Sequence, residues 1–266
     1  MLDLEFAELS DLGNVREGNE DYLGHFAPAT PDARRRRGWL FVLADGVGGQ
    51  SHGEVAARTA VESLLDGFRD APPGEPVSSL LPRLVQDANT RILEASHAAG
   101  PTGSDMATTL VACALRYDRA TVAHVGDSRC YLIRNGRARA LTRDHTVAAE
   151  QARLGLLGED DAANALTRHM LSRSLGGGLF VSAELSDYPI VPGDAILLCS
   201  DGLHGAVTDP EIAPIVAPDA DLRSAAQRLV SLAKERDGSD NISVQLIRVR
   251  SVERVGMYRG RPYKLL

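Results

Sequence analysis

The chain has 266 residues, 44% apolar and 24% charged, enough core-forming material for a globular fold and unlike a disordered or fibrous protein. Its 36 acidic residues against 29 basic ones leave a net charge of −7, which opposes a broad phosphate-backbone-binding face and argues against nucleic acid as the main partner. Cys113, Cys130 and Cys199 are scattered with no CxxC pair, Met1–Ser10 carries acids where a secretory leader carries bases, and no apolar run approaches the ~20 residues of a membrane span, so one cytoplasmic domain is expected.

Apolar periodicity predicts a strand over Leu2–Ala7, an irregular segment rich in Pro, Ala and Arg over Ala27–Gly38, and a strand over Trp39–Ala44. Within the irregular segment, Arg34–Arg37 is a compact positive block that reads as a solvated loop, with docking of acidic or phosphorylated partners as the alternative. Helical spacing follows over Gly53–Phe68 and Ser78–His97, then strands over Thr109–Ala114, Ala120–Val125 and Arg129–Arg134. Tyr131–Leu141 is a hairpin, because Asn135-Gly136 tolerates the left-handed angles of a two-residue turn. After a second irregular stretch, Gly155–Ala165, come a strand over Ala195–Cys199 and a helix over Asp221–Glu235 with Leu222, Ala225, Ala226, Leu229, Leu232 and Ala233 on one face, stopped at Gly238. A last strand, Ile242–Arg248, precedes a mildly basic tail, Arg250–Leu266. Strands run in succession with helices grouped between them, which predicts an α+β sandwich of antiparallel sheets covered by helices.

Five acidic clusters fall at strand ends or in the loops between strands: Asn19-Glu20-Asp21, Asp45-Gly46, Gly126-Asp127-Ser128, Ser200-Asp201-Gly202 and Asp240-Asn241. Each alone is ordinary turn chemistry. Asp45, however, ends an apolar strand and leads into Gly46-Val47-Gly48-Gly49, a backbone that ligands can approach closely, and the same layout recurs from Leu197 to Gly202. Two strand-end carboxylates point to a shared centre. Carboxylates and carbonyls without thiolates select hard cations such as Mg²⁺ or Mn²⁺ and disfavour zinc. His52, His97, His169 and His204 lack paired ligand spacing and read as surface or core residues.

In these residues the chain resembles the metal-dependent (PPM, type 2C) serine/threonine protein phosphatases of bacterial type, over about Glu8–Val249. The landmarks, in family order, are SDLGNVREGNED at Ser10–Asp21, FVLADGVGG at Phe41–Gly49, MATTL at Met106–Leu110, HVGDSR at His124–Arg129, LTRDH at Leu141–His145, LCSDGL at Leu198–Leu203 and SDNIS at Ser239–Ser243. The resemblance implies a four-layer αββα sandwich, with a catalytic domain over 1–249, a flap at about 146–173 and a tail over 250–266. It implies a binuclear Mn²⁺ or Mg²⁺ centre bridged by Asp45, with the Gly46 carbonyl on one ion, Asp201 and Asp240 on the other, and Asp21 acting through water. A third, weaker ion falls to Asp127 and Asp201. Water shared by two such ions loses a proton near neutral pH and attacks phosphorus in line. Arg16 is implied to hold two phosphate oxygens with its guanidinium fork.

Two positions depart from the family pattern. Val47 stands where many eukaryotic members carry a proton-donating His, which leaves bound water, or a side chain such as His145, as the donor. Ser104-Asp105-Met106-Ala107 replaces a Gly-Met-Gly stretch. The implied activity is hydrolysis of phosphoserine and phosphothreonine on proteins by a monomer opposing a Ser/Thr kinase. A catalytically weak phosphoprotein-binding regulator of the same fold, and a metal-dependent phosphodiesterase or nuclease, are the rivals.

Overall fold

The structure is a computed structural model that describes residues 1–47, 52–72, 74–100, 106–158, 161–162, 165–258 and 261–264. In chain order its first half contains β1 (Asp3–Asp11), β2 (Asp21–Phe26), α1 (Pro31–Arg36), β3 (Trp39–Val47), α2 (Gly53–Asp70), α3 (Val77–Ala98), β4 (Ala107–Thr108), β5 (Leu110–Arg116) and β6 (Arg119–Val125). Then follow β7 (Arg129–Arg134), β8 (Arg137–Ala140), α4 (Val147–Arg153), β9 (Glu184–Pro189), β10 (Ala195–Cys199), α5 (Asp201–His204), α6 (Asp209–Ile215), α7 (Leu222–Arg236), β11 (Ile242–Ser251) and a terminal hairpin, β12 (Val255–Tyr258) with β13 (Arg261–Lys264).

Strand β3 shows why its sequence is apolar without a break. Leu40, Val42 and Ala44 pack with α2 and α3, whereas Trp39, Phe41 and Leu43 pack with the facing sheet. Successive side chains of a strand point to opposite faces, so a strand buried on both sides needs apolar residues at every position. The same alternation divides β7: Cys130 and Leu132 join the core between the sheets, while Tyr131 and Ile133 join the core under α6 and α7. One sheet runs β2-β3-β5-β6-β9 with β4 against β3; the other runs β1-β11-β10-β7-β8, and all ladders are antiparallel. Three apolar cores thus separate four layers, as expected from the sequence.

The Asn135-Gly136 hairpin forms as predicted, with φ of 52° and 72° and Arg134 opposite Arg137. The segment Ala27–Gly38 is a correction, because it contains helix α1 instead of a loop throughout. Thr30 caps that helix by accepting the Ala33 N–H, Pro31 occupies the first turn, and arginines sit at the C-terminal end where the helix dipole favours them. Six residues are too few to display helical periodicity. The arginine block is largely engaged: Arg34 lies over the Trp39 ring, Arg35 pairs with buried Glu253, Arg36 pairs with Asp32, and Arg37 donates to the Phe68 carbonyl. Strands β2 and β9 also went unforeseen; they are the two edges of their sheet, only partly buried, and their apolar alternation is weak.

Candidate active site

Antiparallel topology delivers the acidic clusters to one end of the sandwich. Asp21 opens β2 and is the ladder partner of Asp45 near the end of β3. Asp127 lies in the turn from β6 to β7, Asp201 begins α5 directly after β10, and Asp240 precedes β11. Arg16, Asp45, Gly46, Asp127, Asp201 and Asp240 all line one open cleft of about 1000 Å³. Asp21 is buried beside it.

Burial and mutual repulsion dominate the electrostatics. Asp45 is pushed well above the ordinary carboxylate range, first by desolvation and then by the charges of Asp21, Asp201, Asp127 and Asp240. Burial also lifts Asp21 to about 7, against hydrogen bonds from Ser243 and Ser200, and lifts Asp127 to about 7 with the help of the Asp201 charge. Asp201 is held low: burial would raise it, but the nearby imidazoles of His169 and His204 outweigh that. Asp45, Asp21 and Asp127 thus hold on to protons that a bound dication would displace.

Three observations fit this centre to hard dications. One oxygen of Asp21, Oδ1, is buried without a hydrogen-bond partner, an acceptor left over after Ser200 Oγ donates to Oδ2 at 2.8 Å. The donors are carboxylate and carbonyl oxygens, the set Mg²⁺ and Mn²⁺ prefer. Finally, the backbone at Gly46 is tightly enclosed: a Cβ there would stand 2.4 Å from the Gly53 carbonyl and 2.8 Å from the Glu20 carbonyl oxygen. Only glycine lets the end of β3 run this close to the start of α2 and the Glu20 backbone.

The walls are held by residues from the same motifs. Asn241 accepts the Glu20 N–H at 2.8 Å and donates to the Leu12 and Gly18 carbonyls, closing the Arg16 loop onto the start of β11. Arg16 Nη2 donates to Asp240 Oδ2 at 2.6 Å, with its side chain 45% exposed at the cleft. Asp45 N–H donates to Thr109 Oγ1, which shares a 2.7 Å hydrogen bond with Ser128 beside Asp127. Glu20, Thr109, Arg168 and His169 line the cleft too, and sequence reasoning assigned them no role. His169 was read as a surface or core residue; its Nδ1 lies 3.8 Å from Asp201 Oδ2. Placing His145 near the leaving group needs correction: it is buried, bonded to Gly126, and is not among the residues lining the cleft. Val47 does line the cleft, and Ala107 is its ladder partner; Ser104 and Asp105 lie outside the described residues.

A family model described as "Protein phosphatase 2C" matches residues 20–246. The chain belongs to the protein phosphatase 2C family. Among its relatives, the serine/threonine phosphatase stp of Listeria innocua is 32% identical over 255 residues, covering 95% of this chain and 96% of that one. The structure of the S. agalactiae serine/threonine phosphatase superposes with a TM-score of 0.85 at 29% identity, covering 93% of this chain and all of the other. The catalytic domain of the serine/threonine protein phosphatase PstP, solved with 2 manganese ions, superposes with a TM-score of 0.80 at 33% identity, covering 94% and 100%. As a type 2C member with its carboxylate set intact, the protein is a metal-dependent protein phosphatase using Mn²⁺ or Mg²⁺. This disposes of the nuclease rival and disfavours the binding-only regulator. Among the described residues no helix is long and apolar enough to cross a membrane.

Proposed function

We propose that this phosphatase removes phosphate from phosphoserine and phosphothreonine side chains of proteins, with Asp45, Gly46, Asp201 and Asp240 holding two Mn²⁺ or Mg²⁺ ions, and Asp21 orienting water beside them. The observation that carries this reading is the convergence of the Asp45, Asp127, Asp201 and Asp240 side chains on one cleft, with Asp21 directly opposite Asp45. Bound there, two divalent cations supply an acidified water as nucleophile. The chain's own residues supply the rest. Arg16, with Nη2 engaged by Asp240, presents the rest of its planar fork at the cleft wall, suited to oxygens of a phosphate dianion, and opposes the charge that builds on the transferring group. Its hydrogen bond to Asp240 aims it into the cleft and makes the phosphate-binding group and a cation ligand neighbours. An open cleft of about 1000 Å³ suits a side chain presented on a protein surface rather than a small molecule enclosed on all sides.

Asp127 and Asp201 would take a third, weaker cation, and the flap around 146–173 would touch the substrate. The catalytic domain is taken as 1–249, with β11 running two residues further to Ser251 and the chain to 266 following it, working as a cytoplasmic monomer that reverses a Ser/Thr kinase. The test is hydrolysis of a phosphothreonine peptide by purified protein. Turnover should require Mn²⁺ or Mg²⁺ and stop on addition of chelator; full turnover in chelator contradicts the assignment.

A further inference from the structure

Two histidines outside the carboxylate set grip the turn that carries Asp127. From one side, His145 N–H donates to the Gly126 carbonyl at 2.8 Å, and Gly126 N–H donates back to His145 Nδ1 at 3.2 Å. Gly126 has a φ of +101°, and a Cβ on it would stand 2.7 Å from the Thr109 side chain, so this peptide has one place to go. Because Nδ1 accepts, the neutral ring carries its proton on Nε2, which faces Glu184 Oε2 at 3.4 Å and has Arg173 Nη1 at 3.3 Å. His124, His145 and Glu184, grouped tightly enough to suggest a cation site, are therefore better read as a hydrogen-bonded brace.

From the other side comes His204. We propose that His204 is a positioning residue for Asp127: its Nε2–H, donated to the Asp127 carbonyl oxygen at 2.9 Å, ties the turn carrying one carboxylate to the helix carrying Asp201. Helix α5 has four residues, so Asp201 and His204 lie three apart, on neighbouring positions of one face. A single turn is not stable by itself, and its direction depends on tertiary contacts. Asp127 and Asp201 repel each other, and two repelling carboxylates drift apart unless their backbones are tied. A carbonyl oxygen can only accept, so the contact itself fixes the ring proton on Nε2 and makes His204 the donor. Backing groups of this kind set ligand geometry, and their loss lowers cation affinity about 10- to 100-fold.

This inference rests on the reading of Asp127 and Asp201 as a third-cation pair, and Mn²⁺ titration calorimetry on the full chain tests both separately. Wild type should bind two Mn²⁺ tightly and one weakly. His204→Leu should weaken the weak site about tenfold or more and spare the tight pair. His204→Gln, whose amide N–H reaches the same carbonyl, should restore the site. Adding His204→Leu to Asp127→Asn should lower weak-site affinity no further. Unchanged weak binding in His204→Leu, no rescue by Gln, or equal loss at all sites overturns the positioning role. Should His204→Leu not fold, His204→Asn, too short to reach the carbonyl, against His204→Gln gives the same comparison. Binding of only two Mn²⁺ by wild type sinks the third-cation reading itself; three in wild type with an unaffected variant sinks only the role of His204.

Discussion

Asp21 and Asp45 stand directly opposite each other in the β2–β3 ladder, and after burial the charge of Asp21 is the largest influence lifting the proton affinity of Asp45. The fold thus holds like charges together in a poorly solvated place, at the expense of its own stability. Replacing Asp45 by Asn in chelator should therefore stabilise the protein, by roughly 1 kcal/mol, seen as a rise of about 2–4 °C in the thermal midpoint. In the same variant, added Mn²⁺ should give little stabilisation, and turnover should fall roughly 10³-fold. Calorimetric scans with and without Mn²⁺ check both halves. A variant less stable than wild type in chelator contradicts stored repulsion.

Arg16 and Asp240 make the second prediction. Their 2.6 Å hydrogen bond sits at a surface where the arginine is 45% exposed, so it is a weak support of the fold. Arg16→Ala should leave the thermal midpoint within about 2 °C of wild type, but raise KM for a phosphopeptide and lower kcat/KM by about 10- to 100-fold, the worth of one charge-assisted contact. Arg16→Lys keeps the charge and loses the fork, and should recover only part of that loss. Steady-state kinetics at saturating Mn²⁺ separates the two. Equal kcat/KM for Arg16→Ala and wild type would remove the phosphate-binding role.

Much of this site was legible because each of its acids sits in a short local pattern of its own. Asp45, Asp201 and Asp240 follow or precede apolar strands, and strand ends gather at the edges of an antiparallel sandwich. What the sequence withheld was pairing across distance. That Asp21 faces Asp45 depends on β2, an edge strand whose pattern is too weak to read. That Asn241 closes the Arg16 loop, and that His204 reaches Asp127, depends on contacts spanning more than 70 residues. His169 comes beside Asp201 only once the flap is folded, and no spacing announces it. Helix α1 carries capping signals in Thr30 and Pro31, but they open a run only six residues long whose arginines hide any apolar face.

Gly46 gives the third prediction. Its amide donates to the Glu20 carbonyl at 3.1 Å, and Gly53 at the start of α2 lies against it, so the strand, the loop before β2 and the helix meet where the carboxylates gather. Gly46→Ala forces a methyl group to within 2.4 Å of the Gly53 carbonyl, and backbone there cannot rotate away as a side chain does. The expected outcome is a loss of about 1–3 kcal/mol in chemical denaturation, together with weaker Mn²⁺ binding, because the displaced peptide carries the carbonyl assigned to one ion. Wild-type stability and affinity in this variant would show that the contact relaxes freely.

The buried imidazole of His145 sets how the fold responds to acid. Burial lowers its pKa from 6.5 to about 4, and the neighbouring charges of His124 and Arg173 act in the same direction against the partial relief from Glu184. Between those two values the folded ring stays neutral while the unfolded one takes up a proton, so unfolding is favoured as pH falls. Its contribution is complete above about pH 6.5 and declines toward about pH 4, a loss of about 2 kcal/mol by pH 5. His145→Asn keeps an acceptor for the Gly126 N–H but cannot titrate. Denaturation midpoints measured at a series of pH values should fall more steeply for wild type than for this variant below about pH 6.5, with the two slopes alike above it. Parallel curves throughout would mean that the folded ring takes up a proton as readily as the unfolded one, so that the Gly126 N–H does not hold Nδ1 as an acceptor and the brace behind Asp127 is not built as described.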